Sequence, residues 1–309
     1  MGLWLSVLFA FLAGLLLGSF LNVCIARLPY GDSVVRPRSH CPSCLHPIAW
    51  MDNLPLLSWV VLRARCRHCH QRISIQYPLV ELVTGLWFVA VVSLFWVNLV
   101  GPVVNGAPPA SLATLVITTI ALLVLGFLLI GLLVMDWQTH RLPDAFTLTG
   151  CLIGFLLACT GAIFLPQGAD AIRLHRNVNL NSAGAGRSYG DVFLTGPEHV
   201  VFGRLLAIVA AAGLLLLVRW GYKAIRGQQG LGLGDVKLLA MIAAFLGFWP
   251  AMLALFVGVI AAAVYSVGLL VKGSAGLRSR IPLGTFLAIG GLVAAAFGPA
   301  LIAWYSNLL

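Results

Sequence analysis

The sequence predicts an all-α polytopic membrane protein: about eight transmembrane helices, with a small cytoplasmic four-cysteine knuckle domain between helices 1 and 2. Three observations carry this. Of 309 residues, 61% are hydrophobic and only 9% charged, which is more apolar surface than one water-soluble core can hide. Apolar runs long enough to cross ~30 Å of hydrocarbon recur along the chain. The one long polar stretch before them carries two Cys-x2-Cys pairs, at Cys41/Cys44 and Cys66/Cys69.

The helices follow in order. Apolar runs lie near 3–24, 78–100, 112–135, 145–165, 200–218, 251–271 and 283–305, with a shorter one at 236–248. No Lys or Arg precedes Arg27, so the first run lacks the positive flank of a secretory signal and reads as a retained helix. Lys and Arg accumulate in cytoplasmic loops when helical proteins insert. With both termini on the periplasmic side, 15 of the 19 basic residues fall in the inner segments 25–77, 136–144, 219–237 and 272–280. That orientation requires the short run to count as a crossing. The chain divides into a first transmembrane helix, 1–24, a cytoplasmic knuckle segment, 25–77, and a helical bundle, 78–309. Within the bundle, outer loop 166–199 is rich in Gly, Asn and Ser and has no helical or alternating period. The net charge of +10 is spread over membrane-flanking loops with no basic helix or stacking aromatic series, so nucleic acid is not the expected partner. The lipid bilayer is.

Two residues between thiolates let one tight turn aim both sulfurs at one ion, and two such turns complete a tetrahedral site. Cys41, Cys44, Cys66 and Cys69 are therefore the expected metal ligands, with zinc favoured by the soft donor set. Two disulfides are the alternative, and a cytoplasmic loop argues against them. A closed four-sulfur shell leaves no open position, so the metal serves structure. Neighbouring His40, His46, His68 and His70 are surplus to that shell, and Cys24, Cys151 and Cys159, in apolar runs, read as packing residues.

The chain has nine acidic residues, and an acid near hydrocarbon is costly and usually functional. Glu81, Asp136, Asp144 and Asp235 are the candidates. Asp144 and Asp235 each precede an apolar run and can cap its helix. Asp136 closes a helix, where the dipole disfavours an anion. The topology places Asp136 and Asp235 at one cytoplasmic face, where two carboxyls sharing a proton could activate water for peptide hydrolysis. Gly232 and Gly234, in "GLGLGD", offer a backbone that can turn sharply and let an extended substrate approach. Lys237 is expected to reach the headgroups.

The stretches "GLGLGDVKLLA", "MDWQTHRLPDAFTLTG" and "GSFLNVCIARLP", together with the paired knuckles, resemble the bacterial type IV prepilin peptidases, bifunctional leader peptidases and N-methyltransferases. The likeness spans nearly the whole chain. It implies an inner-membrane aspartic endopeptidase that cuts prepilins and type II secretion pseudopilins after a glycine on the cytoplasmic side. It implies further that the new N-terminal residue is methylated from S-adenosylmethionine. The catalytic pair then falls on Asp136 and Asp235, which selects Asp136 over Asp144. Glu81, Gly85, Asn22 and Arg27 match family motif positions and are assigned to the methyl-donor region by resemblance only. Three departures stand out: Gln229 in place of an acid, Thr285 in place of a proline, and the length of loop 166–199. The first two are expected to be tolerated, and the loop, which faces away from the proposed chemistry, to alter interactions or stability before it alters cleavage. Two other classes compete: a proton- or ion-coupled transporter using the same acids, and a zinc-stabilised assembly factor. A transporter calls for acids near the midplane, and an assembly factor leaves Asp136 idle.

Overall fold

The computed structural model describes residues 2–104, 112–163, 197–227, 231–272 and 282–306. Most of loop 166–199, and Gln229, lie outside these; residues 197–199 form the first turn of a helix. Among the described residues there are nine α-helices and no strand beyond two isolated bridges. They are α1 (Gly2–Arg27), the short α2 (Leu57–Val61), α3 (Gln76–Val104), α4 (Leu112–Thr139), α5 (Asp144–Ile163), α6 (Pro197–Arg226), α7 (Leu233–Leu246), α8 (Phe248–Val271) and α9 (Leu283–Ser306). Each apolar run of the sequence falls on one of these helices. Six of them, α1, α3, α4, α5, α6 and α8, are long and apolar enough to cross a membrane.

At 14 residues α7 is too short to meet that length, and its burial explains its composition. Leu238, Leu239, Met241, Ile242, Ala243 and Ala244 are all fully buried, because α4, α5, α6, α8 and α9 surround it. A helix apolar on every side is a core helix. The lipid-facing surface belongs to the others, which expose rows of large apolar side chains such as Leu8, Phe9 and Leu12 on α1.

Lipid tails are as apolar as leucine, so helices here associate through close backbone approach at small residues. The α8–α9 contact shows this. A Cβ on Gly290 would lie 2.0 Å from the Ala254 carbonyl oxygen, and Ala254 and Ala294 are buried beside it. Gly290→Ala is therefore expected to lower stability by about 1–3 kcal/mol, the range for overpacking. Gly268→Ala on α8, where the added methyl meets nothing within 4 Å, is expected to cost nothing. Thermal melting in detergent compares the two; equal melting temperatures would sink this account of the interface.

The helix ends gather at one pole. Gln138 at the end of α4 bonds Gln76 at the start of α3, and Arg141 donates to the Pro29 carbonyl just past α1 at 3.3 Å. The 28–75 segment between α1 and α3 lies at that pole. It consists of 3-10 turns at 28–30 and 50–53, the short α2, and two cysteine hairpins. The hairpins copy one another. His40 bridges Pro47 and Arg65 bridges Arg72, Cys41 N–H donates to His46 and Cys66 N–H to Gln71, and Leu45 and His70 take φ of 57° and 58° at matching positions. The two hairpins share the Cys-x2-Cys pair and little other sequence. The duplication is one of backbone conformation, carried by few matching side chains.

Candidate active site and the four-cysteine knuckle

Three helices deliver the acid site. Asp136 lies in the last turn of α4, Asp235 in the first turn of α7, and Thr285 in the first turn of α9. Asp136 and Asp235, 5% and 9% exposed, are close enough for the charge of Asp136 to act on Asp235. Leu142, from the α4–α5 connection, fills the space among them. A Cβ on Gly234 would lie 3.0 Å from its side chain, and one on Gly284 would lie 2.9 Å from both Leu142 Cδ1 and Asp136 Oδ2.

The unfavourable place of Asp136 on its own helix is offset by another. The first N–H groups of a helix lack intrahelical partners and carry its positive end, and α9 aims these at Asp136. Thr285 donates its backbone N–H to Oδ2 at 2.7 Å and its hydroxyl to the same oxygen at 3.1 Å. Thr285 is more than a tolerated change, since a proline there could give neither bond. The contact joins positions 149 apart. The signal open to sequence reading was one polar residue inside the first turn of an apolar run.

Asp235 does not cap a helix starting at Val236. The helix begins at Leu233 behind Gly232, and Asp235 reaches back to accept the Gly232 N–H, the reciprocal arm of a capping box. The glycines are needed for room, with no left-handed turn involved. Gly232 is extended at φ −72°, and a Cβ there would press to 3.2 Å from Asp235 Oδ2. Asp144 is the first residue of α5, and its carboxylate holds Lys237 Nζ at 2.6 Å. Lys237 thus pairs with protein instead of extending to headgroups. An exposed pair of this kind contributes at most about 1 kcal/mol, and it ties the starts of α5 and α7 together.

In the knuckle, all four sulfurs lie within 4.8 Å of one another. Cys41 Sγ and Cys69 Sγ are 3.7 Å apart, too far for a disulfide and close to the edge of about 3.8 Å for a tetrahedron with metal–sulfur bonds of ~2.3 Å. The Cys44 and Ser43 amides hold the Cys41 thiol down to about 6, and the Cys69 and His68 amides lower Cys66. Cys69, though pulled down by the Gln71 amide, is carried up to about 11 by desolvation and the three sulfurs around it. A cation among the sulfurs relieves that conflict, and the donor set fits a zinc knuckle. The Arg67 guanidinium clasps Asp52 at 2.6–3.2 Å and holds its carboxyl below the usual range.

Between the knuckle and the ends of α1 and α3 lies a cleft of about 850 Å³, with Asn22, Arg27 and Glu81 in its wall alongside Trp59 and Tyr77. Close packing of α1 on α3 makes this possible: Gly18 leaves room for the Glu81 Cα, 2.7 Å from where a Cβ would sit. One Glu81 oxygen accepts the N–H of Leu56 at 2.8 Å, holding that residue at φ 60°. Asn22 donates to the Tyr77 carbonyl at 3.0 Å, while its buried Oδ1 has no partner among the described residues. Gly85 is not in this wall; it packs α3 against Phe11 and Leu15 of α1.

The fold and this pole define a multi-pass helical membrane protein with a buried carboxyl pair and a four-cysteine knuckle at one end. Residues 12–95 match the Bacterial Peptidase A24 N-terminal domain and residues 189–267 the Type IV leader peptidase family. The chain is 38% identical to the prepilin leader peptidase/N-methyltransferase of Myxococcus xanthus (strain DK1622), over 89% of this chain and 67% of that one. It is 32% identical to the protein of that name from Aeromonas salmonicida (strain A449), over 99% and 96%. The protein of that name from Pectobacterium carotovorum subsp. carotovorum is 35% identical, over 90% and 88%. The chain belongs to the type IV leader peptidase family. No solved structure matches it.

Proposed function

We propose that this protein is a bifunctional prepilin leader peptidase and N-methyltransferase of the bacterial inner membrane. It cuts type IV prepilins and type II secretion pseudopilins after glycine at the cytoplasmic face. The observation that carries the reading is the meeting of Asp136 and Asp235, 99 positions apart, in one buried site at the pole where the knuckle lies. The orientation follows the distribution of basic residues, with both termini periplasmic when α7 and α9 are counted as crossings within the bundle.

In the hydrolytic step the dyad carries one proton. The ionised carboxylate takes a proton from water, whose oxygen bonds to the scissile carbonyl carbon, while the protonated partner donates to the carbonyl oxygen. Collapse of that adduct breaks the C–N bond, and a proton from the dyad goes to the leaving amine. The pair titrates as a unit. Gly232 and Gly234 let the Asp235 carboxylate and Leu142 pack against the backbone beside the dyad, where an extended peptide would approach.

The division into 1–24, 25–77 and 78–309 assigns the knuckle segment and its cleft to methyl transfer, with zinc on Cys41, Cys44, Cys66 and Cys69 holding that segment together. S-adenosylmethionine supplies an electrophilic methyl group for the new N-terminal amine. Asn22, Arg27 and Glu81 would hold it: the unpartnered Asn22 Oδ1 can accept from an amino or hydroxyl group, Glu81 balances positive charge, and Arg27 suits a carboxylate. Gly85 acts at one remove, by setting the α1–α3 contact. Asn22→Ala is therefore expected to lower methyl transfer about 10-fold or more and leave leader cleavage unchanged. The test of the whole reading is incubation with a precursor pilin and labelled S-adenosylmethionine, followed by mass measurement of the product's N-terminus. A product shortened to the residue after glycine and heavier by one methyl group is expected; an uncut precursor overturns it.

A further inference from the structure

The geometry points to Thr285 as a positioning residue that holds the Asp136 carboxyl for catalysis, an inference that rests on the aspartyl reading above. Both residues are buried, Thr285 at 3% exposure, so the bonds between them face no competition from water. The backbone N–H at 2.7 Å fixes Oδ2 in place whatever the state of the carboxyl. The hydroxyl does something the backbone cannot. It has one hydrogen and two acceptors within reach, Asp136 Oδ2 at 3.1 Å and the Leu133 carbonyl at 3.3 Å.

A hydroxyl both donates and accepts, and its hydrogen rotates to suit its partners. When Asp136 is ionised, the charged and nearer oxygen takes the hydrogen, since bonds to ionised groups are the stronger ones. When a proton taken from water sits on Oδ1, Oδ2 loses most of its charge and the hydroxyl turns to donate to the Leu133 carbonyl. Thr285 follows the charge of Asp136 through a proton cycle without gaining or losing a proton. Oδ2 stays fixed by α9 throughout, which leaves Oδ1 as the oxygen for water and substrate. Leu133 and Asp136 lie on the same face of α4, three residues apart, so both acceptors are held by one rigid element.

A plain packing role for the hydroxyl, joining α9 to α4, predicts something different, and steady-state cleavage of a precursor pilin separates the two. Thr285→Val keeps the shape and the backbone N–H and removes only the hydroxyl. It is expected to lower kcat about 10-fold or more, the size of a lost bond to a charged group, with KM within about twofold and an unchanged melting temperature in detergent. Thr285→Ser, which restores the donor, is expected to recover most of kcat. A Val variant with kcat within about twofold of wild type overturns the inference, and so does a loss of kcat that tracks a fall in melting temperature and is not recovered by Ser. Should the Val variant fail to accumulate, Thr285→Ala removes the same hydroxyl with less bulk and is held to the same criteria. Asp136→Asn, assayed alongside, keeps the failures distinct: an active Asn variant defeats the aspartyl reading itself, whereas an inactive Asn variant beside a fully active Val variant defeats only the role of Thr285.

Discussion

Asp136→Asn and Asp235→Asn are each expected to abolish cleavage of a precursor pilin, with a drop of at least about 10⁴-fold, as when a member of a catalytic unit is removed. The size follows from the arrangement. Water activation needs one carboxyl that can take a proton and one that can give it, and an amide does neither at neutral pH. The substitution is otherwise mild. Asparagine keeps the volume and can still accept the Thr285 N–H and hydroxyl at position 136, or the Gly232 N–H at position 235. Both variants should therefore insert and melt like the wild type. The double variant should be no worse than either single one, because the two act as a unit. Processing at the normal rate by either single variant would refute the dyad. Asp144→Asn, by contrast, removes only one side of the exposed pair with Lys237 and is expected to leave processing within about threefold of wild type.

Cys41→Ser or Cys66→Ser is expected to take bound zinc from one ion per chain to none and to unfold the knuckle segment. The segment has almost nothing else to hold it. Between Tyr30 and Leu79 the only buried residue is Cys41, so there is no apolar core to survive the loss, and small domains without one depend on staples. Structural zinc in comparable peptides binds with an apparent free energy of about 10–16 kcal/mol, most of it realised as folding. The Asp52–Arg67 clasp cannot replace that. Methyl transfer should be lost first, since Trp59, Glu81 and Arg27 line the same cleft as Cys41 and Cys66. Asp136 and Asp235 hang from α4 and α7, so cleavage should outlast it. Metal analysis of the purified protein, proteolysis of the segment with and without a chelator, and the two activities measured on the same variant check this. A metal-free protein with an intact segment and full methyl transfer would count decisively against it.

Much of this could be read from sequence because its causes are local. Hydrophobic runs report membrane helices whatever their neighbours do, and Cys-x2-Cys reports a turn that two residues suffice to build. The convergence of Asp136 and Asp235 was open to reasoning for a related reason: fixing which loops face inward places both at one pole. What escaped was the pairing of side chains across helices. A lysine flanking an apolar run is expected to reach the headgroups, but Lys237 has its partner in Asp144, 93 positions away. Local reading also allows Asp235 as a cap for a helix from Val236, but Gly232 stands extended as the cap itself, and the helix starts earlier.

The sequence by itself determined that this is a membrane bundle with a four-sulfur knuckle and few acids to spare, because composition, run length and short-range spacing act through solvent and through adjacent residues. The tertiary structure alone decided three further matters. It buried α7 as a central helix, gathered Asn22, Arg27 and Glu81 into one cleft, and turned the positive end of α9 onto Asp136. Each of these depends on which helix packs against which, at backbone distances that only glycines such as Gly18 and Gly290 permit, and no single helix carries that information.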